Sequence, residues 1–341
     1  LPVAVPGSLL CGHKLSMASL RVCAMWKNNT GCRAAFLVVF SLLTMGNWGR
    51  LDHAQAISCD FSNAPAVLNF GTILSGNSGS LNGYMRFQCS AALTELTSTM
   101  CPTVEPILAD LSGSTRMLLG TSGLATGYKL AFSLFLPGRL AWGMHTVPNS
   151  GIIPQQSTLL SVSGNSFIQP FSGSIAPGQI VPAGTYSTTS RYTIYYTSGV
   201  LTAIDGSCFG SGYSITSTAT ITAIIQPNCT VSANSINFGT QTVLTQTLTA
   251  QGTITVKCTL AQPYSISLSS SNGMRMMNGS QSIQYELFSD PAYQNSWDGT
   301  TAINGVGTGI SQKIPVYGRV LPQQTPIAGS YSDTVAITVT Y

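Results

Sequence analysis

One set of landmarks occurs twice in this chain. Cys59 is followed by Asn69-Phe70-Gly71 and Cys89, and Cys229 by Asn237-Phe238-Gly239 and Cys258. Arg116-Met117 corresponds to Arg275-Met276, and Leu130-Ala-Phe132-Ser-Leu134-Phe135 to Ile283-Gln-Tyr285-Glu-Leu287-Phe288. Ala183-Gly-Thr-Tyr186 matches Ala328-Gly-Ser-Tyr331, and Tyr196 falls on Tyr341 at the same spacing. Landmarks that recur in order over most of a chain mark tandem copies of one structural unit. The copies span 57–227 and 228–341 and join near Gln226-Pro227-Asn228.

The second copy shows what the unit is made of. Ile254, Val256 and Cys258 alternate with Thr255 and Lys257, and Val335, Ile337 and Val339 alternate with Ala336 and Thr338. A period of two with Thr and Ser on the other face is the pattern of half-buried strands. Only 7% of residues are charged, against about 25% in an average soluble chain, so helices surfaced with Glu and Lys are disfavoured. Short strands punctuated by Gly and Pro predict an all-β protein of two tandem immunoglobulin-like β-sandwiches. No apolar run approaches the ~18 residues a membrane-spanning helix needs.

Residues 1–56 read as upstream residues and a secretory signal peptide. From Met25 come Lys27 and Arg33, the apolar stretch Ala34 to Met45, and Ala54-Gln55-Ala56. A basic start, a short apolar core and an A-x-A site are the parts of an export signal. Residues 1–24, which begin with Leu1, read as upstream translation or a misplaced start. The leader holds five of the 14 basic residues and one of the 10 acidic ones, leaving nine of each. A neutral remainder lacks the cation density that phosphate backbones require, so no nucleic-acid partner is expected.

Six cysteines remain after the leader, an even number in an exported chain. Such a set reads as three disulfides. The repeat pairs Cys59 with Cys89 and Cys229 with Cys258, and elimination leaves Cys101 with Cys208. No C-x-x-C occurs and His145 is the lone histidine after the leader, so no metal and no cofactor are expected. No G-x-S-x-G elbow is present, and the spacing of Glu95, Glu105, Asp110 and Asp205 singles out no carboxylate pair. Asp290 and Asp298 lack calcium-loop spacing. The chain reads as not an enzyme.

The two copies differ at their ends. After Tyr196 the first continues through Tyr213-Ser-Ile215-Thr-Ser-Thr-Ala219-Thr-Ile221-Thr-Ala223-Ile224, which alternates as one more strand; the second has reached Tyr341 at the matching point. The first module is therefore expected to close its own sheet, and the second to be an incomplete fold lacking its last strand. An open edge pairs readily with another chain, and donor-strand complementation is one use of it. Val335, Ile337, Val339 and Tyr341 would line that edge. The alternative is an ordinary last strand at Tyr341 and a decorative insertion at 213–224.

The second copy resembles a spore coat U domain, the pilin module of archaic chaperone–usher pili. The resemblance rests on Asn237-Phe238-Gly239, Cys258, Tyr264-Ser-Ile266-Ser-Leu268, Arg275-Met276, Tyr285-Glu-Leu287-Phe288, Trp297, Tyr317-Gly318-Arg319 and Gly329-Ser-Tyr331-Ser-Asp333-Thr334-Val335. The first copy keeps a fainter version, with an insertion around 137–170. A two-module subunit of this kind is similar to the tip adhesins of Csu-type pili. The resemblance implies a periplasmic pilus chaperone, an outer-membrane usher and an adjacent pilin subunit as partners. Only Ile57 and Ser58 precede Cys59 in the expected mature chain, too short a segment to span a groove at ~3.3 Å per residue. The expected place is the pilus tip, reached by export through the periplasm to the cell surface.

In such a module three loops gather at the pole away from the last strand; they fall at about 90–103, 137–169 and 197–212. They are rich in apolar residues: Met100 and Pro102; Leu140, Trp142, Met144, Val147, Ile152 and Ile153; and Val200, Leu201, Ile204 and Phe209. Contiguous exposed apolar surface marks interaction sites, so these residues are expected to bind an apolar or host-cell surface and promote biofilm attachment. The alternative for the same residues, Trp142 above all, is packing into the end of the sandwich. Two other functions fit the sequence: a structural minor pilin or exported coat protein, and a tip lectin in which Trp142, Asn149, Gln155 and Gln156 hold a glycan.

Overall fold

A computed structural model describes residues 57–63, 67–92, 96–107, 110–197 and 213–341. Among these the regular structure is strand, apart from short 3-10 turns such as Gly123–Ala125. It is all-β and builds two immunoglobulin-like sandwiches in tandem, as the alternation of apolar and hydroxyl residues predicts.

The first module is a curled 12-stranded sheet. One side runs β1 (Ile57–Asn63), β3 (Gly79–Ala91), β10 (Asn165–Ile175) and β7 (Lys129–Leu136). From β7 the order continues through β6 (Thr115–Gly120), β11 (Gly184–Tyr196) and β12 (Tyr213–Gln226) to β2 (Val67–Leu74). Off this path, β4 (Leu96–Pro106) lies between β11 and β9 (Gln156–Leu160), β5 (Leu111–Ser112) pairs β6, and β8 (Leu140–Ala141) pairs β7. The core holds Phe87, Met85, Leu118, Leu134, Tyr186 and Tyr192, all at most 1% exposed. Cys59–Cys89 joins β1 to β3.

The second module repeats that plan with fewer strands. Its first sheet is β13 (Cys229–Ala233), β14 (Leu248–Cys258), β20 (Gln312–Val320) and β18 (Glu286–Phe288), with Cys229–Cys258 joining β13 to β14. Its second is β19 (Ala302–Val306), β15 (Pro263–Ser270) and β21 (Val335–Thr340); β16 (Arg275–Asn278) and β17 (Gln281–Gln284) form a hairpin. The correspondence reaches single hydrogen bonds. Asn69 Oδ1 accepts the Gly71 N–H at 2.8 Å and Asn237 Oδ1 the Gly239 N–H at 2.8 Å, with both glycines left-handed at φ +74° and +75°. A β-carbon is costly there, which is why the Asn-Phe-Gly landmark needs its glycine. The Tyr186 hydroxyl donates to Pro182 O and the Tyr331 hydroxyl to Ile327 O, each four residues upstream.

Cys101 is fully buried and disulfide-bonded. Its expected partner Cys208 lies outside the described residues, as do the leader at 1–56 and the loop residues Val200, Leu201, Ile204 and Phe209.

Candidate functional site

The modules part at one flank. In the first, β11 is laddered on both sides. One edge pairs β6 at Tyr186–Ser187 and β4 from Ser190 to Tyr196, and the other pairs β12 along its whole length. β12 in turn runs parallel to β2. Ala219, Ile221, Ala223 and Ile225 of β12 point into the core and are at most 4% exposed. An isoleucine buried this way contributes about 1.5–3 kcal/mol.

In the second module β21 stands where β11 stands. It pairs β15 as β11 pairs β4, and a Met277–Ser332 bridge replaces the β6–β11 ladder. Among the described residues no strand pairs its other edge. The counterpart of β2, residues 235–241, is accordingly not in a strand. Burial records the difference residue by residue. Ser190, Tyr192 and Ile194 are 0% exposed, whereas Val335, Ile337 and Val339 are half-buried. Tyr196 is 2% exposed and Tyr341 51%.

Between β21 and residues 233–238 lies a groove of about 350 Å³. Ile236, Phe238, Leu268, Leu287, Val335 and Ile337 line it. These walls are continuous with the module core, which also contains Val256, Trp297 and Val316. Unpaired backbone beside exposed core side chains is a surface shaped for an extended segment.

Asp333 sits at the groove rim. It accepts hydrogen bonds from the Ser270 hydroxyl at 2.5 Å, the Tyr285 hydroxyl at 2.6 Å, the Asn272 amide at 2.8 Å and the Thr334 N–H at 2.8 Å. Burial pushes its pKa up, but these donors outweigh burial and hold it below the ordinary carboxylate value. Burial and the Asp333 carboxylate together push the Tyr285 phenol up. The groove therefore has one fixed, satisfied anion among apolar walls.

The loop residues expected at the distal pole divide. Leu140 and Ile152 are 49% and 50% exposed, and Val147 and Ile153 are half-buried. Met100, Pro102, Trp142 and Met144 are buried instead, which corrects the expectation for these four. Trp142 donates its indole N–H to Pro102 O at 3.1 Å and packs on Phe171, its ring tilted by 50° at 5.2 Å between centroids, so its polar atom has a partner inside the sandwich. Met100 and Pro102 lie on β4, opposite Tyr196 and Ile194 of β11.

A charged cluster pins the excursion after β8. Arg116, 5% exposed, donates to Val104 O at 3.1 Å and Trp142 O at 3.0 Å. Burial lowers its pKa to about 10 while the nearby Glu105 pulls it back up. Glu105 accepts the His145 N–H at 2.5 Å and the Thr146 hydroxyl at 2.6 Å.

The repeat held a signal for Trp142 that sequence reading missed. Trp297 donates its indole N–H to Ile266 O at 3.1 Å and its backbone N–H to Leu287 O at 2.8 Å. Trp142 makes the same backbone bond to Leu134 O at 2.9 Å. Leu134 and Leu287 are already paired by the repeat, and a tryptophan follows each within ten residues. Trp142 is thus the first module's copy of a core tryptophan. Among the described residues no cluster of three or more His, Cys, Asp or Glu is placed to hold a metal, and no helix is long and apolar enough to cross a membrane.

Comparison with known proteins bears out the resemblance read from the second module. Residues 215–338 match the Spore Coat Protein U domain, and the matched stretch opens inside β12 rather than at the joint. No curated protein matches the sequence. Among solved structures, the CsuC–CsuE chaperone–tip adhesion subunit complex of archaic Csu pili from Acinetobacter baumannii is 18% identical. That match covers 83% of this chain and 100% of that one, with a TM-score of 0.48. The CupB6 tip adhesin from Pseudomonas aeruginosa is 10% identical over 83% and 95% of the two chains, with a TM-score of 0.38. CfaE, the adhesive subunit of CFA/I fimbria of enterotoxigenic Escherichia coli, is 10% identical over 82% and 93%, with a TM-score of 0.31.

Proposed function

We propose that this chain, whose second module is a Spore Coat Protein U domain, is the tip adhesin of an archaic chaperone–usher pilus. It passes through the periplasm with a pilus chaperone, is handed on at the outer-membrane usher, and is displayed at the cell surface. The second module is its assembly half. The groove along β21 receives an extended segment, first from the chaperone and then from the adjacent pilin subunit. The observation that carries this reading is the contrast between Ser190, Tyr192 and Ile194, each 0% exposed under β12, and their half-buried counterparts Val335, Ile337 and Val339 beside the unpaired edge of β21. Half-buried apolar residues beside an open ladder gain burial and backbone hydrogen bonds when a strand arrives, each bond worth about 0.5–1.5 kcal/mol net.

The first module is the contact half. Leu140 and Ile152 are its candidate surface residues among those described, and they would bury apolar area against a host or abiotic surface during biofilm attachment. Multiple pili would convert weak single contacts into firm attachment.

The assembly reading is tested with Thr338→Cys, at an exposed position of β21. Pili carrying this variant are assembled with neighbouring subunits bearing single cysteines in their N-terminal segments. The expected result is a disulfide-linked pair at one register and little at positions two residues away. No link at any register would overturn it.

A further inference from the structure

β12 is a strand with two affiliations. It closes the first module, yet the Spore Coat Protein U match that opens at Ile215 counts most of it with the second. Cys229 lies fourteen positions after Ile215, so β12 stands immediately ahead of the second module's first cysteine. We propose that β12 is interchangeable with the strand the second module accepts: a second copy of the segment Tyr213–Gln226 fits the groove along β21. This rests on the reading of that groove as strand-accepting and adds the identity and register of an occupant.

The repeat fixes the register. In the first module Ala219, Ala223 and Ile225 face Ser190, Tyr186 and Gly184 across the antiparallel ladder, and Ile221 lies beside Leu68 on the parallel side. The corresponding positions of the second module are Val335, Tyr331, Gly329 and Ile236. The incoming alanines thus meet the larger wall residues, Val335 and Tyr331, while Ile221 meets Ile236 and Ile225 meets Gly329, which carries no side chain of its own and lies against the Asn278 amide. Ile221 would also face Asp333, whose carboxylate is already bonded to Ser270, Tyr285 and Asn272. The same small–large alternation that fills the first core at Ala219, Ile221, Ala223 and Ile225 suits the second groove. In the intact chain β12 is held by its own module. A further copy, supplied as a separate segment, is the occupant the geometry selects.

The experiment uses the full chain and a fluorescent peptide of residues 213–227. Anisotropy reads binding, and amide hydrogen exchange reads β21. Expected are saturable binding and at least tenfold slower exchange within Val335–Thr340. A peptide carrying Ala219→Glu and Ile221→Glu should bind at least tenfold more weakly. Absence of saturable binding, binding without slowing at β21, or equal binding of the double variant would overturn the inference. An unrelated peptide of alternating Val and Thr separates the two levels. If it slows β21 while 213–227 does not, the groove accepts strands but not this one; if neither does, the strand-accepting reading falls as well.

Discussion

Asp333 accepts the Tyr285 hydroxyl at 2.6 Å, joining the loop before β21 to the strand region opposite it across the groove. The bond ties part of the acid stability of the second module to that carboxylate. The pKa of Asp333 is lower folded than unfolded, so the unfolded chain binds more protons between those values. Its contribution is present above the unfolded value, near pH 4, and is lost as pH falls through the folded value. Asp290 and Asp298 are depressed too and share this window. Urea midpoints of the wild type should fall from pH 5 to pH 3 more steeply than those of Asp333→Asn. Parallel curves would remove Asp333 from the account.

Trp142→Ala should act on stability first. It removes a fully buried indole, empties the space beside Phe171 and leaves Pro102 O without its donor. Truncations of this kind cost about 3–5 kcal/mol. Denaturant unfolding of the full chain should show that loss in the first transition to move, and Trp297→Ala should produce a loss of similar size in the other module. A Trp142→Ala protein of wild-type stability would contradict the core assignment.

Leu140→Ser and Ile152→Ser should behave in the opposite manner. Both side chains are about half exposed, and surface changes of this kind stay within about 0.5 kcal/mol. Attachment of piliated cells to an apolar support should drop while pilus number is unchanged. Normal attachment by the double variant would move the contact surface elsewhere.

Removing either visible disulfide should cost stability without changing the fold. Cys59–Cys89 and Cys229–Cys258 span 30 and 29 residues. Loops of this size correspond to about 3–4 kcal/mol of denatured-state entropy. Replacing both partners by serine, rather than one, avoids a stray thiol, and the loss is read as a shift in urea midpoint.

Much of this molecule could be read from its residues because strands state their faces locally. Alternation at Ile254, Val256 and Cys258 or at Val335, Ile337 and Val339 shows directly which side is apolar. The repeat then did what local pattern cannot, pairing cysteines and laying β11 over β21. The loops were harder. Apolar residues outside regular alternation look alike whether they face solvent or plug a sandwich, and for Trp142 the two are separated by its repeat counterpart Trp297 and by the long-range bond to Pro102. Glu105 offered no local sign that it anchors His145 and Thr146, because its partners lie about forty residues away in sequence.

The Asn237-Phe238-Gly239 bend is already set, with Gly239 left-handed and its N–H held by Asn237, although residues 235–241 are not in a strand. A socket whose rim is preformed leaves most of the ordering entropy to be lost by the incoming segment. Discrimination between competing segments then falls on how cheaply each one straightens, which favours stiff β-branched sequences over flexible glycine-rich ones.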